Sequence, residues 1–315
     1  MAEEAARAAG ADQGPVVQRA LLVGELVRLR RESGRTQRQV AERLDWSQAK
    51  VIRIEGGKQS ISRTDLEAML RLYGLGEGER VRRLVALNRC AGREGWWSRY
   101  RAAGVPADHL RMVGFEAGAA LIRQAHNAFV PDLLRTPAYA RAVAPLLYPG
   151  GDDAGPGADP AAGGGNGADG AAALADLCRE RRERLDEGGR APRRVHVLDE
   201  AVIRRRVGAG TDPGLMPAQL RRLAAEAALD GVDVRVVPFG RGVHPGMRGP
   251  MTLLSFDGPL DDVLYLEGAG GAGLVEGGAP VAEYASAFDD LVAGHALGPA
   301  ESLALIEEAA AGMGG

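Results

Sequence analysis

The stretch 35–58, RTQRQVAERLDWSQAKVIRIEGGK, gathers the side chains best suited to hydrogen-bonding an external polyanion. It carries carboxamides at Gln37 and Gln48 and cations at Arg38, Arg43, Lys50, Arg53 and Lys58. Between Arg19 and Ser60, ten Lys/Arg stand against five Asp/Glu, a surplus of five in a chain whose net charge is −3. A local basic field on an otherwise acidic protein docks on phosphate without drawing the whole chain to every anion. Amides and guanidiniums are also the groups that pair with base edges, so the chemistry of this stretch is DNA binding.

Elsewhere the reactive residue types do not assemble. The five histidines (109, 126, 196, 244 and 295) show neither HxxxH nor HExxH spacing, so no metal site is expected. Two cysteines, Cys90 and Cys178, without a CxxC, exclude a disulfide framework or zinc ribbon and fit a reducing compartment. Neither reads as catalytic, although Cys178, close to Arg179, Arg181 and Arg182, is expected to be somewhat acidic. With 45 glycines, chance motifs arise: GNGADG at 165–170 and GAGGAG at 268–273 both fit GxGxxG. The first lies in a low-complexity stretch, and the second opens no helix whose N-terminus could receive a pyrophosphate. Asp199-Glu200 and Asp261-Asp262 are read as strand neighbours pointing to opposite faces, poor partners for acid/base work. The expectation is a protein that is not an enzyme and uses no cofactor. One loop, FGRGVHPGMRGP at 239–250, offers Arg241, His244 and Arg248 as a candidate effector or anion contact, against the ordinary reading as a turn-rich surface loop.

These residues need elements to hold them. Residues 1–17 lack period and read as a disordered leader. Leu22, Leu26 and Leu29 recur at helical spacing and place a first helix near 19–33, stopped by Gly34. Thr36 caps a second helix with Val40, Ala41 and Leu44 inward; Asp45-Trp46 turn the chain. Ser47 caps a third helix with Val51 and Ile54 inward, ended by Gly56-Gly57. Ala41 supplies the small residue that two helices crossing at ~90–120° need where their backbones approach. Further helices near 64–73 and 77–91 complete an all-α, five-helix domain over 18–92.

Gly34, Thr36-Gln37, Val40-Ala41, Leu44, Ser47, Val51, Ile54-Glu55 and Gly57 together look like the phage-repressor-like (XRE-type) helix-turn-helix family. Trp46 is a departure, standing where that family has a small aliphatic residue. The resemblance implies that the third helix enters the major groove. Carried over by position, Gln48, Ala49, Lys50 and Arg53 face base edges: an amide for adenine, a methyl for thymine, cations for guanine or phosphate. Gln37 resembles a phosphate clamp, with Arg38, Arg43, Lys58 and Arg63 as further phosphate candidates. Glu55 is expected to bond within its own domain, since a carboxylate repels phosphate. A homodimer on a palindromic operator would supply the affinity that one unit lacks.

Residues 93–311 read as a mixed α+β (or α/β) domain. Strands are expected at 232–238, 251–256 and 262–267, and helices from Thr136 and over 173–187, 219–229, 281–293 and 299–310. The helix over 173–187 alternates in charge and suits an exposed face. A Gly-rich insertion at about 149–172 cannot bury a core and is expected to be disordered. In order, Gly95-Trp96-Trp97, VPDLLRTPAYAR, Leu198-Asp199-Glu200, VVPFGRGVHPGM, VLYLEG and ALGPAESLALIEE are similar to the C-terminal domain of unknown function found behind helix-turn-helix units in actinobacterial, antitoxin-like regulators. Asp132 and Arg135 depart from that pattern, which favours Gly and Gln there. The resemblance implies a small protein partner encoded nearby. The functional expectation is therefore a sequence-specific transcriptional regulator whose C-terminal domain binds an effector or partner. The alternative is an antitoxin-like interaction module in which DNA binding is secondary. No apolar run approaches the ~18 residues of a membrane span, so the expected location is the cytoplasm, at the nucleoid.

Overall fold

The computed structural model describes residues 14–147, 167–187, 191–267 and 273–313. Most of the expected leader (1–13), most of the Gly-rich insertion (149–166) and all but Gly273 of the GxGxxG match at 268–273 lie outside the described residues. The chain divides into two compact units, Met1–Trp96 with Asp257–Leu260, and Trp97–Phe256 with Asp261–Gly315.

The first unit contains α1 (Gly14–Glu32), α2 (Gln37–Leu44), α3 (Gln48–Glu55), α4 (Arg63–Leu72) and α5 (Glu79–Ala91). Helix α1 begins inside the stretch expected to be leader, because Val17 is buried and extends the face of Leu22, Leu26 and Leu29. Thr36 closes a capping box on α2: its hydroxyl accepts from the Gln39 amide and the Gln39 side chain accepts from the Thr36 amide. Asp45 turns the chain in the left-handed region (φ 56°, ψ 45°), which Asp tolerates better than most residues. The Ser47 hydroxyl then accepts from the Lys50 amide and starts α3. Val40, Ala41, Val51 and Ile54 join Leu22, Leu26, Leu66, Met69, Leu70 and Leu84 in one core, with Trp46 partly buried at its edge.

The second unit is built on a six-stranded sheet of order β3-β2-β1-β4-β5-β6. Its strands are β1 (Leu121–His126), β2 (Arg193–Asp199), β3 (Val232–Val237), β4 (Met251–Ser255), β5 (Val263–Leu266) and β6 (Gly273–Glu276). The first three are mutually parallel, whereas β4, β5 and β6 each run antiparallel to their neighbour. In chain order, helix α6 (Ala107–Glu116) precedes β1 and helices α7 (Pro137–Leu147) and α8 (Gly167–Glu187) follow it, while α9 (Glu200–Arg204) and α10 (Leu215–Ala227) link β2 to β3. Helices α11 (Gly278–Gly294) and α12 (Pro299–Met313) follow β6.

Alternation along the strands sends apolar residues to both faces. Ala125, Val195, Val197, Met251 and Leu253 meet Val281, Phe288 and Leu291 of α11. On the other face, Leu198, Val232, Val234 and Val236 pack with Tyr139, Leu220, Leu223 and Ile306 from α7, α10 and α12. Helix α8 differs from the expected exposed charged helix. It starts before Ala173, within the end of the expected insertion, and it buries Leu174, Leu177, Cys178 and Arg181. Only part of its charge is exposed, as in the Arg179–Glu183 pair.

Candidate functional site

Helix α3 buries Val51 and Ile54 and turns Gln48, Ala49, Ile52 and Arg53 to solvent. Its orientation is set from behind by Glu55, only 8% exposed. One Glu55 oxygen accepts from Arg30 Nε of α1 at 2.7 Å, and the other accepts from Gln37 Nε2 of α2 at 3.0 Å. One carboxylate thus ties three helices together, and its charge is met by a guanidinium rather than offered to solvent. Gln37 is thereby held half-buried at the start of α2.

The predicted base-reading residues occupy different situations. Gln48 and Ala49 are exposed in the first turn. Arg53 is exposed and its Nε donates to Gln59 at 2.9 Å. Lys50 is engaged within the unit: its ammonium lies 2.9 Å from Asp65 and 3.8 Å from the centre of the Trp46 ring. A contact from Lys50 to DNA must displace that pair. Among the phosphate candidates, Arg38 pairs with Glu42 and Arg63 with Glu67, each at 2.8 Å on exposed helix faces. Arg43 and Lys58 are exposed and have no ion pair among the described residues.

Sequence reasoning left one residue of this face unassigned. Ile52 is 47% exposed, a large apolar side chain standing in water between Gln48 and Arg53. The signal was in the period. With Val51 and Ile54 taken as the core stripe, Ile52 lies about 100° from Val51 on the helical wheel, turned away from the core.

In the second unit the polar chemistry is internal. Arg181 is fully buried; it bonds Glu116 bidentately at 2.6 and 2.9 Å and Asp132 at 2.6 Å. Arg135, also buried, lies 2.9 Å from Asp132 and donates to the Val130 carbonyl at 2.7 Å. Burial opposes ionisation of Asp132, but Arg135 and Arg181 outweigh it and hold the carboxyl well below its ordinary range. The two departures from the family pattern, Asp132 and Arg135, are therefore partners of each other, and Asp132 also pairs with Arg181. Cys178 is corrected by this setting: burial pushes its thiol up to about 11, because desolvation outweighs the neighbouring arginines. Burial likewise drives His109 and His126 down to about 4 and His196 to about 3.

His244 and Arg248 have different partners in the structure. Arg241 is exposed. Arg248 is held by Glu283 at 2.8 Å and lies over the Tyr284 ring of α11. His244 turns inward, its Nε2 3.1 Å from Asp199 Oδ2. Asp199 and Glu200 are not strand neighbours either. Asp199 ends β2 and caps α9, accepting from the Ala201 amide at 2.7 Å, while Glu200 begins that helix.

Among the described residues, no group of three or more His, Cys, Asp or Glu is placed to hold a metal ion. None of the described helices is long and apolar enough to cross a membrane. A family profile described as a helix-turn-helix domain matches residues 21–84. A second, described as a domain of unknown function (DUF5753), matches residues 110–156 and 161–308. No curated protein and no solved structure matches the chain.

Proposed function

The chain belongs to the DUF5753 family, and from the helix-turn-helix domain ahead of that domain we propose that it is a sequence-specific DNA-binding transcriptional regulator. The observation that carries this reading is the α3 face. Gln48, Ala49, Ile52 and Arg53 are exposed on a helix clamped to α1 and α2 by one buried carboxylate. A rigid helix with amide, methyl and guanidinium groups outward is what major-groove readout needs. Gln37, Arg38, Arg43, Lys58 and Arg63 supply the phosphate contacts, and the protein acts as a homodimer on a palindromic operator in the cytoplasm. The second unit binds the effector or partner that decides when the operator is occupied, and no catalysis enters the reading.

The test is a mobility-shift titration at fixed salt against a selected operator and a scrambled duplex. Gln48→Ala combined with Arg53→Ala should lower operator affinity by roughly 30-fold or more, about 1–3 kcal/mol for each of the two lost base contacts, with little effect on the scrambled duplex. An unchanged preference between the two duplexes would remove α3 as the reading element.

A further inference from the structure

We propose that the cleft at the carboxyl ends of β1, β2 and β3 binds a small organic amine, its ammonium on Asp199 and its apolar body against Phe239 and Met247. The proposal deepens the effector reading above, although binding itself can be tested without it.

The sheet order creates the cleft. Strands β3 and β4 are consecutive in sequence but separated in the sheet by β2 and β1. Strand β4 begins at Met251 opposite Ala125, at the carboxyl end of β1. The connection from Pro238 to Pro250 must therefore cross the carboxyl ends of β2 and β1. It does so through two short 3-10 turns, Phe239–Arg241 and Pro245–Arg248. Gly242 (φ 67°) and Gly249 (φ 122°) take backbone conformations that side chains disfavour. Between this roof and the strand ends lies a space of about 480 Å³. Asn127 after β1, Asp199 at the end of β2 and Pro238 after β3 form its floor, and Phe239, His244 and Met247 line its roof. The volume falls within the roughly 300–1,000 Å³ range of small-molecule sites. The edge beyond the carboxyl ends of parallel strands is where open α/β sheets bind ligands.

The lining selects the ligand class. Among the described residues, Asp199 is the only carboxylate on it, and the apolar wall is made by Ala201, Pro238, Phe239 and Met247. Phe239 and Met247 are 60% and 56% exposed, large apolar side chains left in water at the cleft. The Asp199 carboxylate is fixed by the Ala201 amide and by His244, one bond to each oxygen, and each oxygen keeps a second acceptor site. His244 is 7% exposed; its Nε2 donates to Asp199, and its Nδ1 is buried without a hydrogen-bond partner among the described residues. The Asp199 carboxylate, which joins floor to roof through His244, thus calls for a donor. No Lys or Arg among the described residues lines the cleft to meet an anion, since neither Arg241 nor Arg248 reaches the lining.

The experiment is a calorimetric titration of the full chain, without DNA, using phenethylamine as the probe and phenylacetate as a control of similar body and opposite charge. The expected result is saturable binding of phenethylamine and none of phenylacetate. Asp199→Asn should weaken the amine at least tenfold; Asn remains a good helix cap, so the fold is retained. Phe239→Ala, at an exposed position, should weaken it severalfold. Absence of saturable amine binding, equal or tighter binding of phenylacetate, or unchanged binding by both variants would overturn the proposal. Repeating an operator titration with and without the amine separates the two ideas. If the amine binds the cleft but leaves DNA affinity unchanged, the cleft assignment stands and its effector role falls.

Discussion

The two units treat charge in opposite ways. The first buries one carboxylate, Glu55, beneath one guanidinium and one amide, and leaves most of its cations on the surface. The second draws Glu116, Asp132, Arg135 and Arg181 into its interior, where Arg181 and Arg135 are among the largest fully buried side chains. A surface that binds a polyanion gains by releasing counterions, so its cations must stay in water. Buried ions gain nothing of that kind. They are tolerated because each is met by an opposite charge at short range, and removing one partner leaves the other stranded.

The contrast can be broken most severely at Arg181. Arg181→Met should destabilise the second unit by roughly 3–5 kcal/mol in chemical denaturation, because Glu116 and half of the Asp132 pairing lose their counter-charge. A loss under about 1 kcal/mol would mean that the network is dispensable. In the first unit, Glu55→Ala should cost about 3 kcal/mol and weaken operator binding as well, since it frees both Arg30 and Gln37. Retained stability with normal DNA affinity would show that α3 is positioned by its apolar face alone.

Acidification sharpens the same difference. His109, His126 and His196 have folded values near 4, 4 and 3, depressed by burial from an ordinary 6.5. Arg135, Arg181 and Arg194 oppose their protonation, and Asp132 favours it for His109 and His126. Below pH 6.5 the unfolded chain takes up protons that the folded chain refuses, so the stability held above pH 6.5 is lost as pH falls toward 4. Glu267, pushed up to about 7 by burial, has the opposite sign between 4.5 and 7. Three histidines against one glutamate leave a net loss on acidification of roughly 2 kcal/mol per pH unit, readable as a falling melting temperature of the second unit. A flat profile from pH 6.5 to 5 would contradict it. The smallest expected effect is at Ile52. Ile52→Ala should change stability by less than about 0.5 kcal/mol but lower operator affinity by roughly threefold to tenfold. Unchanged affinity would take Ile52 off the DNA-facing surface.

Legibility followed the range of the interactions. The first unit is built from signals three or four residues apart: Thr36 with Gln39, Ser47 with Lys50, and the spacing of Val51 and Ile54. The helix-turn-helix was therefore readable, as was the inward role of Glu55. In the second unit, β3, β4 and β5 were readable from alternation and composition. The burial of α8 was not, because Arg181 finds Asp132 and Glu116 at separations of 49 and 65 residues. A run such as RERRER reads as solvated until the opposite charges are placed beside it. The acidity expected of Cys178 failed for the same reason: sequence neighbours suggested cations, whereas packing supplied desolvation.

By itself, the sequence determined that a capped pair of helices at 35–58 carries amides and cations, because caps and helical faces are set by residues within one turn of each other. Only the tertiary structure decided where those groups end up. It turned Lys50 onto Asp65 and Trp46, and it set His244 on Asp199, 45 residues distant, and Arg248 on Glu283. It also folded the β3–β4 connection over the strand ends to make a cleft. The reason is strand order: no local pattern specifies that β2 and β1 lie between β3 and β4, and the loop must go where the sheet requires it.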